Sequence, residues 1–82
     1  MRIEVRLYGT LRRYRPAAAP GAAHAPFVLT LSPAATVATL LAALAIPDGL
    51  ASAAAVNDET AETDHPLRDG DRVSLFPPVA GG

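Results

Sequence analysis

The residues of this chain whose types and spacing suit chemistry collect at its end. "FPPVAGG", Phe76 to Gly82, sets two prolines ahead of two glycines. Each proline fixes its φ angle, so Pro77 and Pro78 favour an extended exit that loses little entropy when held straight. The residues beyond Phe76 reach at most roughly 20 Å, enough to thread the end of the chain into a neighbouring protein. Val79 and Ala80 offer small apolar contacts, and Gly81 and Gly82, lacking Cβ, suit a narrow channel. The group delivered there is the backbone carboxylate of Gly82. A partner holding ATP and Mg²⁺ could convert it to an acyl-adenylate; sulfide or a persulfide would then yield a thiocarboxylate, and an amine an amide.

Other sites are poorly supplied. The chain has no cysteine, which excludes disulfides, thiolate metal sites and a cysteine nucleophile. His24 and His65 have no second ligand at metal-binding spacing. Asp58, Glu59, Glu62 and Asp64 lack the spacing and glycine of a calcium loop and read as a solvated turn. No phosphate-binding glycine loop or nucleophile elbow is present, and Ser32, Ser52 and Ser74 occupy cap, loop and strand positions. The expectation is a protein that is not an enzyme by itself and holds no permanent cofactor, its chemistry completed in a partner's active site.

Composition bounds the partners. A chain of 82 residues, 50% hydrophobic but rich in alanine, has room for one small domain with a thin core. Its net charge of −1 argues against nucleic-acid binding. The basic cluster "RRYR", Arg12 to Arg15, reads as a solvated loop or a docking contact for an acidic protein. The start "MRIEVRLYG" alternates where a signal peptide would be apolar, and the stretch Ala34 to Ile46 is too short to cross a bilayer. A cytoplasmic protein without membrane contact is the expectation. All basic residues are arginine. Without lysine, an activated acyl terminus could not be captured by an amine of its own chain, although a GC-rich genome is the simpler cause.

The elements that must position the tail follow from periodicity. Arg2 to Tyr8 alternate, with Ile3, Val5 and Leu7 on one face of a strand. Gly9 and Thr10 interrupt it, "LRRY" suits a short helical turn, and residues 15–26 form a Pro- and Ala-rich mobile surface loop. Phe27 to Leu31 make a second strand antiparallel to the first. Val37, Leu40, Leu41 and Leu44 fall on one helix face, with Thr36 as N-cap, Ser32 as its rival, and Pro47 as terminator. Ala53 to Val56 form a third strand, Asn57 and Asp58 a turn, and a short polar strand lies near Thr60 to Thr63. "RDGD" turns the chain into Arg72 to Phe76. The resulting α+β architecture is a β-grasp, a mixed sheet of four to five strands with one main helix on one face. The crossover is expected to lead to a strand parallel to the first, with the last strand central beside the first. The domain covers 1–76 and the tail 77–82.

"LYGTLRRY", "TVATLLAAL", "AVN" and above all "LRDGDRVSLFPPVAGG" resemble the MoaD/ThiS family of ubiquitin-like sulfur carriers, in the family's order over almost the whole chain. The double proline looks most like the MoaD branch, the small subunits of molybdopterin synthases. The resemblance implies that Gly82 is adenylated by an E1-like enzyme of the MoeB/ThiF type. It further implies conversion to a thiocarboxylate with sulfur from a cysteine desulfurase or rhodanese, and insertion into a MoaE-like large subunit that makes the molybdopterin dithiolene. Gly81 would line the channel; Phe76, Pro77, Pro78, Val79 and Ala80 would contact the partner, and Arg12 would be a docking charge. The loop at 15–26 and "NDETAETD" depart from the family pattern where partner choice could be set. Carriers for thiamine, cysteine, tungsten-cofactor or transfer-RNA thiolation pathways, and a protein modifier conjugated through Gly82, remain alternatives.

Overall fold

The computed structural model describes residues 1–22, 24–47 and 49–78. Its strands are β1 (Arg2–Leu7), β2 (Phe27–Thr30), β3 (Ala53–Val56), β4 (Glu59–Ala61) and β5 (Arg72–Phe76). A 3-10 helix, Gly9–Tyr14, follows β1, and α1 (Val37–Ala43) connects β2 to β3. The five strands form one sheet in the order β2-β1-β5-β3-β4. β5 pairs parallel with β1, placing Val5 opposite Val73 and Leu7 opposite Leu75, and antiparallel with β3. The strand that leads into the tail is therefore held on both edges.

The crossover differs from the expectation in direction. β2 runs antiparallel to β1, and β3 is antiparallel to β5 and hence to β1. The strand parallel to β1 is β5, not the strand that follows the helix. A helical crossover preserves the direction of the strands it joins, so leaving from β2 it delivers β3 parallel to β2.

Alternation in the strands builds one apolar layer. Ile3, Val5, Leu7, Phe27, Ala54, Val56, Val73 and Leu75 are buried on the sheet, and Val37, Leu40 and Leu44 are buried on the helical segment. Leu11, Ala35, Ile46 and Leu67 close its margins. Full burial of a Leu, Ile or Val side chain contributes about 1.5–3 kcal/mol, so the large residues carry a core in which Ala54 adds little.

With only two turns, α1 would be marginal alone and depends on partners at both ends. The Thr36 hydroxyl accepts from the Thr39 N–H, and the Thr39 hydroxyl accepts from the Thr36 N–H, a reciprocal cap. The Val37 and Ala38 amides donate to the carbonyls of His65 and Thr63. Thr36, not Ser32, is thus the cap. Pro47 is not the terminator: Ala45 adopts φ +58, and the Ala45 and Ile46 amides donate to the carbonyls of Ala42 and Leu41. This is a Schellman closure, completed before the proline is reached.

The other turns match their sequences. Asn57 and Asp58 take φ of 51° and 69°, the left-handed pair that a two-residue hairpin requires, and these are residues that tolerate it. The polar strand of this hairpin is Glu59–Ala61, displaced toward the turn from the stretch expected near Thr60 to Thr63.

Candidate functional site at the end of the last strand

The end of β5 is held from three sides. The Tyr8 N–H donates to the Leu75 carbonyl at 3.1 Å, and the Ser52 N–H donates to the Phe76 carbonyl at 2.9 Å. The rings of Tyr8 and Phe76 stack with centroids 4.7 Å apart and planes 15° from parallel. Leu75 beneath them is fully buried. Phe76 and Pro77 are half-buried and Pro78 is exposed, so the chain passes from core to solvent within these few residues. The candidate residues Val79, Ala80, Gly81 and Gly82 lie outside the described residues.

Arg12 stands on the neighbouring 3-10 helix. That helix is anchored by buried Leu11, while Arg12 and Arg13 are exposed. The 3-10 helix packs against both β1 and β5, the strand that leads into the tail. The guanidinium of Arg13 lies 6.0 Å from the centre of the Tyr14 ring.

Arg15 does not join that patch. Its guanidinium turns into the following loop and donates to the carbonyls of Ala19 at 3.0 Å and Ala25 at 3.2 Å, and also to those of Pro20 and Gly21. It also lies 5.6 Å from the centre of the Phe27 ring. The "RRYR" cluster therefore splits into two outward charges and one that frames the loop. One cation can satisfy several carbonyls that a Pro- and Ala-rich segment leaves without secondary-structure partners.

A second network secures the start of β5. The Asp71 carboxylate is nearly buried and accepts from Asn57 Nδ2 at 2.9 Å and from the Arg68 N–H at 2.8 Å. The Asn57 side-chain oxygen accepts from the Arg72 N–H at 3.0 Å, and the Arg72 carbonyl accepts from the Asn57 N–H at 2.8 Å. By sequence Asn57–Asp58 and "RDGD" are separate turns; the structure joins them into a lock.

The remaining candidates stay apart. His24, His65, Asp58, Glu59, Glu62 and Asp64 are exposed. Among the described residues no three histidine or acidic side chains converge, and no helix is long and apolar enough to cross a membrane. The sheet face opposite α1 holds a shallow depression lined by Glu4, Arg6, Tyr8, Asp58, Arg72 and Ser74, which runs up to the Tyr8 ring. Arg72 and Asp58 pair across it at 3.7 Å, both well exposed, a contact of little energetic weight.

A central β5 beside β1, one helix across the sheet, and a clamped strand end from which a proline pair departs define a ubiquitin-like β-grasp domain. Crystal structures of SAMP1 from Haloferax volcanii share this fold, one superimposing with a TM-score of 0.71 at 24% identity over the whole of both chains. The ThiS family model matches residues 5–82, and the chain belongs to the ThiS family.

Two relatives are closer in sequence. The molybdopterin synthase sulfur carrier subunit of Escherichia coli K12 is 58% identical over 40 residues, which are 49% of this chain and 48% of that protein. The match thus spans about half the length of that curated relative. A chain from the complex of subunits 1 and 2 of the molybdopterin-converting factor of Helicobacter pylori is 31% identical over the whole of both chains, with a TM-score of 0.60.

Proposed function

We propose that this chain is a sulfur carrier for molybdopterin synthesis, working as the small subunit of a synthase. The observation that carries the reading is the clamped end of β5: the Tyr8–Phe76 stack and the Ser52 hydrogen bond hold the strand while Pro77 and Pro78 lead outward to the glycines. Membership of the ThiS family and the similarity to the two molybdopterin-pathway relatives support it.

In this reading an E1-like enzyme binds the tail with ATP. A Gly82 carboxylate oxygen attacks the α-phosphorus, pyrophosphate leaves, and the terminus becomes an acyl-adenylate. Sulfide then attacks the acyl carbon and expels AMP, leaving a thiocarboxylate; a persulfide donor does the same with a second thiol to cleave the resulting disulfide. ATP is spent in the activating partner and is not a resident cofactor of this chain. A large subunit finally receives the tail and takes the sulfur. The carrier's own part is presentation, since a stem stiffened by Pro77 and Pro78 loses little freedom on docking.

Intact-mass analysis after incubation with ATP, an E1-like enzyme and a sulfur donor tests this. The expected product carries one sulfur in place of one oxygen, reacts with a thiol alkylator, and shows the change at Gly82 in fragment ions. An unchanged mass overturns the reading, and recovery only of lysine conjugates from cells replaces it with that of a modifier.

A further inference from the structure

Gly9 sits against the tail exit in a way the clamp alone does not explain. Its φ is +55, and a Cβ placed there would lie 2.9 Å from Cγ of Pro77 and 3.6 Å from its Cδ. The first distance is well inside normal carbon–carbon contact. Neither side can easily yield. Gly9 opens the 3-10 helix, whose Leu11 is buried and donates its N–H to the Tyr8 carbonyl at 3.1 Å. Pro77 follows Phe76, whose carbonyl and ring are both held. Two atoms of the proline ring belong to the backbone, so pressure on the ring turns the chain at that point.

We propose that Gly9 is a positioning residue for the tail: the space left by its missing side chain seats the Pro77 ring, and this seat sets the direction in which the chain leaves the domain. The inference rests on the carrier reading for its consequence. A small angular error at Pro77 is carried along the stiff Pro77–Pro78 stem and becomes a displacement at Gly82, the position that must meet the activating site. Gly70 provides an internal comparison. It has a left-handed φ of +86, but a Cβ there meets nothing within 4 Å. A side chain at Gly70 therefore adds backbone strain without touching the tail, whereas one at Gly9 adds strain and contact together.

The test compares Gly9→Val with Gly70→Val in the full chain. In ATP–pyrophosphate exchange driven by an E1-like adenylating enzyme, Gly9→Val is expected to raise KM for the carrier about tenfold with kcat little changed, because a misaimed tail loses productive engagement. Gly70→Val should leave KM unaltered while lowering thermal stability. Adding Pro77→Ala to Gly9→Val removes the obstructed ring atoms and should bring KM back to that of Pro77→Ala alone. Equal KM changes at the two glycines, or strictly additive losses in the double variant, would overturn the proposal. Should Gly9→Val not fold, Gly9→Ala adds the Cβ alone and is read in the same way.

An NMR arm separates this inference from the function it rests on. Contacts between the Gly9 α-protons and the Pro77 ring are expected in the wild type, with amide shifts beyond Pro78 moved by Gly9→Val and unmoved by Gly70→Val. A wild type inert in exchange defeats the carrier reading. The absence of those contacts and shifts defeats the positioning role.

Discussion

Tyr8 and Phe76 stack face to face at the ends of the two central parallel strands, one residue before Gly9 and one before Pro77. The pair joins the end of β1 to the root of the tail. An aromatic pair of this kind contributes about 0.5–1.5 kcal/mol beyond its buried area. Tyr8→Ala, Phe76→Ala and the double variant, compared by urea unfolding, are expected to show a coupling of that size. Strict additivity would mean that the rings touch without supporting each other.

The lock at the start of β5 should be costly to open. Asp71→Ala leaves the side-chain amide of Asn57 and the Arg68 N–H without the charged, nearly buried acceptor that joins them. The expected loss is about 1–3 kcal/mol in urea unfolding. Asp58→Ala, which removes only the exposed pair with Arg72, should change stability by less than about 0.5 kcal/mol.

Helix α1 offers a gain. Ala45 occupies the left-handed position of the Schellman closure, where glycine has no Cβ penalty. Ala45→Gly is expected to stabilise the domain by about 0.5–1 kcal/mol and to raise Tm by a few degrees in calorimetry.

The core offers little reserve. Leu40 is fully buried on the short helix, and Leu40→Ala should cost about 2–5 kcal/mol. Small domains have about 5–15 kcal/mol in total, so the variant is expected to show a much lower urea midpoint and a measurable unfolded fraction near 37 °C.

Two arginines close in sequence should behave differently. Arg12→Glu reverses an exposed charge on the 3-10 helix; in the carrier reading it slows association with an acidic partner, more strongly at low salt, without altering the urea midpoint. Arg15→Ala removes the group that gathers the carbonyls of Ala19, Pro20, Gly21 and Ala25. Limited proteolysis should then cut within residues 16–26 well before the wild type is cut there.

Most of the architecture was legible because it is written in local periodicity. Period-two alternation marked β1, β2 and β5, the i, i+3, i+4, i+7 spacing marked α1, and Asn57–Asp58 and Gly70 marked turns through the conformations they tolerate. The bounds of the short β4 are not legible in the same way, because a polar three-residue strand is defined by its pairing with β3 and has no apolar pattern of its own. The helix end is hidden for another reason: a proline such as Pro47 is conspicuous in sequence, whereas an alanine in the left-handed region such as Ala45 is not.

The sequence by itself determined the character of the segment after β5: two prolines stiffen the chain and two glycines leave it without side chains wherever the segment stands. It also determined which residues form strands and helix, since those depend on neighbours a few positions away. Only the tertiary structure decided that Gly9 faces Pro77, that Asp71 answers Asn57, and that Arg15 leaves the cluster with Arg12 and Arg13. Those relationships join residues that are distant along the chain or whose orientation depends on loop closure. No local spacing encodes them: the first two arise only once the sheet has set β5 between β1 and β3, and the third only once the loop after Arg15 has folded back on its guanidinium.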